Sequence, residues 1–147
     1  VVLDEQFRIR AWAANCPDPW LLEIVAGVVE PNESPVEVAV REALEEAGCA
    51  VIRLEFITRY FTTPGSSTEL VHLFCGQIES TKAGGYHGLA DEGEDIRASV
   101  WPLDEALALL NGKRICNAMT LIALQWFSLH HSGLTIQWSS AAVPQLS

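Results

Sequence analysis

Glu42, Glu45 and Glu46 lie within five consecutive residues, with Arg41 just before them and Glu33 and Gly27 farther back. On a helix turning about 100° per residue, Glu46 sits about 40° to one side of Glu42 and Glu45 about 60° to the other, so three carboxylates share one arc. Like charges at i,i+3 and i,i+4 each cost about 0.2–0.5 kcal/mol on a bare helix. A bound cation turns that repulsion into ligation. Mg²⁺ prefers hard oxygen donors in octahedral geometry and is commonly held by one or two carboxylates plus substrate phosphates. Glu42 and Glu46 are therefore the best ligand candidates, with Glu45 beside them. Composition alone favours a plainer account, because glutamate forms helices well and acidic faces are usually just solvated. Glu37 and Arg41 also form an i,i+4 pair that absorbs part of the charge. The spacing of the whole segment decides between the two accounts, and it depends on the elements that carry it.

Ser34-Pro35-Val36-Glu37 matches a capping box, with Ser34 at the N-cap, Pro35 at N1 and Glu37 at N3. The helix should start at Pro35 and stop after Ala47, where Gly48 suits the left-handed position. Val36, Ala39, Val40, Ala43 and Ala47 line much of the side opposite the acids and supply a core-facing stripe. Upstream, VVLDEQFRI reads as a strand, AANCPDP as a turn or loop, and WLLEIVA (residues 20–26) as a second strand ending at Gly27. Downstream, residues 51–63 and 69–78 are β-rich runs joined by PGSS, which suggests a hairpin. A long loop from Glu79 to Glu94 precedes a strand in EDIRASVW, a short helix in LDEALALL closed by Asn111-Gly112, and a buried helix over residues 115–131. From Ser132 onward no pattern stands out. The expectation is one α/β (α+β) domain over residues 1–131, a mixed β-sheet flanked by helices, followed by a tail over residues 132–147.

The chain has 147 residues, 49% of them hydrophobic, 19% charged and five tryptophan, enough to form a core and too apolar for a disordered chain. The net charge of −10 with only nine Lys+Arg argues against nucleic acid or an anionic membrane surface as a partner. No apolar run approaches the ~20 residues that span a bilayer, and early charge argues against a secretory signal, so a cytoplasmic location is expected. Cys16, Cys49, Cys75 and Cys116 form no CxxC pair, and the four histidines show no zinc-ligand spacing. The cysteines read as reduced thiols buried as small hydrophobes.

Gly27, Glu33, Arg41-Glu42, Glu45-Glu46 and Gly48 together resemble the Nudix box, a 23-residue match from Gly27 to Cys49 with seven fixed positions. Ala43 and Cys49 stand where bulkier aliphatic residues are usual, and both can still pack. The resemblance implies a Nudix α/β/α sandwich whose box holds Mg²⁺, with Mn²⁺ as a possible substitute, for hydrolysis of a nucleoside diphosphate linked to another group. It also implies that the Ala26 carbonyl adds a metal ligand, that Glu33 supports the metal or its waters, and that Arg41 orients the acids through charge-assisted hydrogen bonds.

Along nearly the whole chain, EQFRI, PWLLEIVAG, TPGSSTE, GYHGLADEGEDIR and IALQWFSLHH are similar to bacterial ADP-ribose pyrophosphatases. That resemblance implies a homodimer converting ADP-ribose and water to AMP and ribose 5-phosphate. In it Glu92 is the catalytic base and a metal-site acid, preferred over its neighbours Asp91, Glu94 and Asp95, and Arg8 and Glu69 contact substrate. An exposed strand residue is an equal account of Arg8, and a solvated loop is the plainer account of the acids around Glu92. Relatives carry an N-terminal strand region that exchanges between subunits and helps build the adenosine pocket. The chain opens after it, so weak or absent activity is expected of these 147 residues and full activity of a longer chain. Two other functions share the metal acids: hydrolysis of another nucleoside diphosphate sugar such as GDP-mannose, and non-catalytic ADP-ribose binding by a Nudix-like regulator. No attached DNA-binding module is visible, and a retired site often loses an acid.

Overall fold

A computed structural model describes residues 1–79, 83–88, 95–112 and 114–140. Along the chain run β1 (Val2–Phe7), α1 (Ile9–Ala13), β2 (Trp20–Glu23), α2 (Pro35–Ala47), β3 (Val51–Phe61), β4 (Leu70–Ile78), β5 (Gly85–His87), β6 (Ile96–Val100), α3 (Leu103–Asn111) and α4 (Ala118–Ser140). The expected sheet with flanking helices is present. Its ladders among the described residues are antiparallel and fall into two sheets, one of four strands in the order β2-β1-β6-β5 and one formed by β3 and β4.

Alternation along β1 sorts its side chains onto two faces. Leu3 packs with Leu22, Ile115 and Leu124, joined by Trp101, Leu109, Leu110 and Leu121 from α3, α4 and their approaches. Burying each such leucine contributes about 1.5–3 kcal/mol, so this layer anchors the sheet. Asp4 and Gln6 point the other way, toward α2, where Ala43, Ala47, Cys49 and Ala98 form a second cluster with Val2, Val25, Val51 and Ile78. Three alanines at this contact let the helix lie close to the sheet.

Several boundaries depart from expectation for local reasons. β2 stops at Glu23 rather than Ala26, because the next amides are taken by side chains: Ile24 N–H donates to Thr120 Oγ1 at 3.1 Å and Ala26 N–H to Glu46 Oε2 at 3.1 Å. The α1 helix was not anticipated; it is five residues long and buries none of them, leaving Ile9 and Trp12 exposed. β5 interrupts the expected long loop with three residues. α4 runs on past His131 to Ser140, so residues 132–140 are helical rather than patternless. Ser, Thr and Gly there look like breakers, but the hydroxyls of Thr135, Ser139 and Ser140 donate back to the carbonyls of His131, Thr135 and Ile136, so these side chains are satisfied within the helix. The Arg53 guanidinium binds the Trp138 carbonyl and ties this end of α4 to β3. No helix among the described residues is long and apolar enough to cross a membrane.

Candidate active site

The helix that carries the acids is fixed at both ends by its own sequence. Ser34 Oγ accepts from the Glu37 amide at 3.3 Å and the Glu37 carboxylate accepts from the Ser34 amide at 2.7 Å, the reciprocal box expected. Gly48 closes the helix at φ 64°, the left-handed conformation glycine adopts at least cost. The face α2 buries differs from the expected stripe. Val38, Ala43, Glu46 and Ala47 are buried, whereas Val36 is 44% exposed. Glu46, expected to share an outward arc with its neighbours, points into the sheet.

That inward glutamate is satisfied where it lies. Gln6 Nε2 donates to Glu46 Oε1 at 3.2 Å, and the Ala26 amide donates to Oε2. Glu42 reaches the next residue of the same segment: a Cβ placed on Gly27 would overlap the Glu42 carboxylate. Ala26 and Gly27 thus form the corner on which both acids converge, and any side chain at 27 would displace one of them. Glu45 is held on the outer side, 2.9 Å from Arg41 Nη1.

Arg41 organises the rest. Its Nε and Nη2 donate to the two oxygens of Glu33 at 2.9 and 3.2 Å, and Nη1 donates to Glu42 at 2.8 Å as well as to Glu45. This bidentate fork holds the Glu33 carboxyl below its ordinary pKa, and the carboxylates in turn raise that of the guanidinium. A shallow depression bounded by Glu30, Asn32, Glu33, Glu37 and Arg41 opens beside this network. Another, lined by Glu5, Trp20, Tyr86 and Arg97, belongs to the sheet face away from α2.

Below the acids sits a carboxyl that the residue spacing did not flag. Asp4 is 1% exposed and neither of its oxygens has a hydrogen-bond partner among the described residues. Burial, then the charges of Glu46 and Glu23, push its pKa up to about 7. Gln6, which braces Glu46, was also missed. Both lie on the alternate positions of β1 that a polar pattern assigns to solvent, and the sequence of β1 carries no signal that α2 covers this face.

The remaining expected residues are scattered. Arg8 donates through Nε and Nη2 to Glu23 Oε2, and Glu23 Oε1 accepts from Asn117 at 2.9 Å, so Arg8 is anchored at the end of β1 by a carboxylate that is 5% exposed. Glu69 stands at the tip of the β3–β4 hairpin and accepts from the Thr62 hydroxyl at 2.7 Å. Glu92, with Asp91 and Glu94, lies outside the described residues. Cys49 is buried as expected, but Cys116 is exposed and Cys16 and Cys75 are partly so, which corrects the expectation of four buried thiols.

Among the described residues no three acidic, histidine or cysteine side chains close on a point that could hold a metal unaided. The donors present nonetheless suit a divalent cation shared with substrate oxygens: two hard carboxylates at a corner kept clear by Gly27. A model of the NUDIX domain matches residues 2–119, and the chain belongs to that family. It is 45% identical over 139 residues to the ADP-ribose pyrophosphatase of Escherichia coli strain K12, covering 95% of this chain and 66% of that protein. It is 42% identical to the ADP-ribose pyrophosphatase of Haemophilus influenzae, covering 94% and 64% respectively. The GDP-mannose pyrophosphatase of Cronobacter sakazakii is 36% identical over 130 residues, with coverage of 88% and 66%. The chain therefore spans just under two thirds of the length of the curated relatives it matches.

Proposed function

We propose that the chain hydrolyses the diphosphate of ADP-ribose, giving AMP and ribose 5-phosphate, with Mg²⁺ or Mn²⁺ as cofactor. The observation that carries this reading is the convergence of Glu42 and Glu46 on the Ala26–Gly27 corner. Glu42, Glu46 and the Ala26 carbonyl would hold the metal, with Glu45 and Glu92 completing its surroundings. The metal, when bound, neutralises the diphosphate and stabilises charge developing on phosphorus.

The residues divide the remaining work. Glu92 takes a proton from the attacking water, whose oxygen bonds to phosphorus as the bridging P–O bond breaks. Arg41 and Glu33 keep the ligand carboxylates oriented, and Gln6 fixes the plane of Glu46. Arg8 and Glu69 contact the substrate, Arg8 being preset by Glu23. Residues 1–131 form the catalytic domain, and residues 132–147 are the tail that follows it in sequence.

The working form is a cytoplasmic homodimer with no nucleic-acid or membrane partner; exposed Phe56, Phe61 and Leu70 on the hairpin support self-association. A second reading, action on another nucleoside diphosphate sugar, is favoured by the similarity to GDP-mannose pyrophosphatase.

The test is turnover of ADP-ribose and GDP-mannose with Mg²⁺ in oxygen-18 water, with AMP and ribose 5-phosphate weighed by mass spectrometry. Glu46→Gln should lower turnover by orders of magnitude together with metal affinity, and Glu92→Gln should do so with metal binding largely kept. Preferred turnover of GDP-mannose would replace ADP-ribose by the second reading. Unchanged turnover in both variants would sink the mechanism.

A further inference from the structure

Arg8 continues the row of β1 side chains that faces α2. Asp4 and Gln6 point that way, with Gln6 reaching Glu46. Arg8 follows in extended backbone, φ −105° and ψ 103°, its amide still donating across to the Pro19 carbonyl at 2.9 Å. It therefore stands one pleat, about 7 Å, beyond Gln6 on the same face. Glu23, opposite Asp4 in the β1–β2 ladder, belongs to that face too. Its Oε2 accepts from Arg8 Nε and Nη2, and the Nη1–Nη2 edge of the fork is left to meet an anion. The Arg8 side chain is 44% exposed, so a ligand can reach it.

The start of α4 fixes Glu23 in turn. Asn117, immediately before the helix, accepts at Oδ1 from the Thr120 amide at 3.1 Å and from the Thr120 hydroxyl at 3.4 Å, and its Nδ2 donates to Glu23 Oε1 at 2.9 Å. These neighbours set the orientation of the carboxamide, because its acceptor must face the helix N–H and its donor the carboxylate. Thr120 is fully buried, and its Oγ1 accepts the Ile24 amide at 3.1 Å, so the same helical turn grips the chain just past Glu23. One Glu23 oxygen is thus committed to Asn117 and the other to Arg8.

We propose that Asn117 is a positioning residue for the hydrolysis: it selects the Glu23 oxygen that Arg8 uses, and so sets the direction from which the guanidinium meets the substrate diphosphate. This rests on the proposed role of Arg8. Capping α4 does not by itself call for a carboxamide, since serine and aspartate are N-caps of about the same quality. A carboxamide both accepts from the helix and donates to a carboxylate, which aspartate cannot do. Without that donor the Glu23 carboxylate is free to turn about its last bond, carrying Arg8 with it. A phosphate contact made alike in the ground and transition states is felt in KM rather than in kcat.

Asn117→Ser keeps an oxygen for the Thr120 amide and removes the amide donor, so the circular dichroism spectrum should be preserved. With ADP-ribose and Mg²⁺ its KM should rise about tenfold while kcat stays within about twofold. Arg8→Gln should raise KM as well, and adding Asn117→Ser to it should raise KM no further, because the two act through one contact. In nitrogen-15 spectra the Arg8 Nε–H signal, assigned by its loss in Arg8→Gln, should be sharp in the unmutated chain and broadened in Asn117→Ser. Asn117→Asp, close in shape and also a cap, should give the same rise and the same broadening, and it serves if the serine variant does not fold. An unchanged KM, rises that multiply in the double variant, or an Arg8 signal indifferent to both substitutions at position 117 would each overturn the proposal. A chain whose Arg8 signal responds as described yet leaves ADP-ribose intact would overturn the proposed function and uphold the placing of Arg8 by Asn117.

Discussion

Changing Asp4 to asparagine removes an ionisable group that is 1% exposed beneath α2 and has no hydrogen bond to either oxygen among the described residues. Its folded pKa is about 7 against an ordinary value of 3.8, driven first by burial and then by Glu46 and Glu23. At about 1.4 kcal/mol per unit of pKa, ionising it in the folded chain costs about 4 kcal/mol. The sign follows from proton counting. Between those two values the folded chain keeps a proton that the unfolded chain has released, so stability falls as pH rises through that window and levels off above it. From pH 5 to pH 8 the loss attributable to Asp4 is about 2–3 kcal/mol. Asparagine carries no such term, and any cost of its unpaired amide is the same at both pH values and cancels. Urea unfolding followed by tryptophan fluorescence, with a chelator present so that no divalent ion offsets the charge of Glu46, measures the difference. Asp4→Asn should gain about 2–3 kcal/mol on the unmutated chain between pH 5 and pH 8. Parallel pH profiles for the two proteins would refute the reasoning.

Other substitutions probe the acids from different sides. Gly27→Ala should preserve the circular dichroism spectrum while turnover falls at least about tenfold, because the new methyl displaces Glu42. Arg41→Lys keeps the charge but loses the fork to Glu33, and Mg²⁺ affinity measured by calorimetry should weaken about 10–100-fold. Ser34→Ala should cost about 1 kcal/mol in urea and leave turnover nearly unchanged, since the Ser34 hydroxyl bonds the Glu37 amide and not the acids at the Ala26–Gly27 corner.

The parts of this molecule that were legible in its sequence are those whose causes are local. α2 begins and ends at the expected residues because Ser34, Pro35, Glu37 and Gly48 act within one turn of themselves. The β3–β4 hairpin follows from two β-rich runs and a turn, equally local. What was misjudged depends on partners far along the chain. β2 ends early because Thr120 and Glu46 take its amides. Helical spacing put Glu46 on the acidic arc correctly, but only the position of the sheet decides that this edge of the arc faces inward. Asp4 and Gln6 followed the alternation of a half-solvated strand, and nothing within β1 says that α2 covers that face. Arg8 was picked out by resemblance; its tether to Glu23 and Asn117 joins three separate segments and has no short-range signature.

Glu46 is aimed from below, by a strand amide side chain and a loop N–H, on a helix seated against Ala98 through two alanines. The aim of the proposed metal ligand is thus inherited from the interior, and the two cannot be selected separately. A bulkier residue at position 98 would register in an assay as an active-site lesion although it touches no substrate.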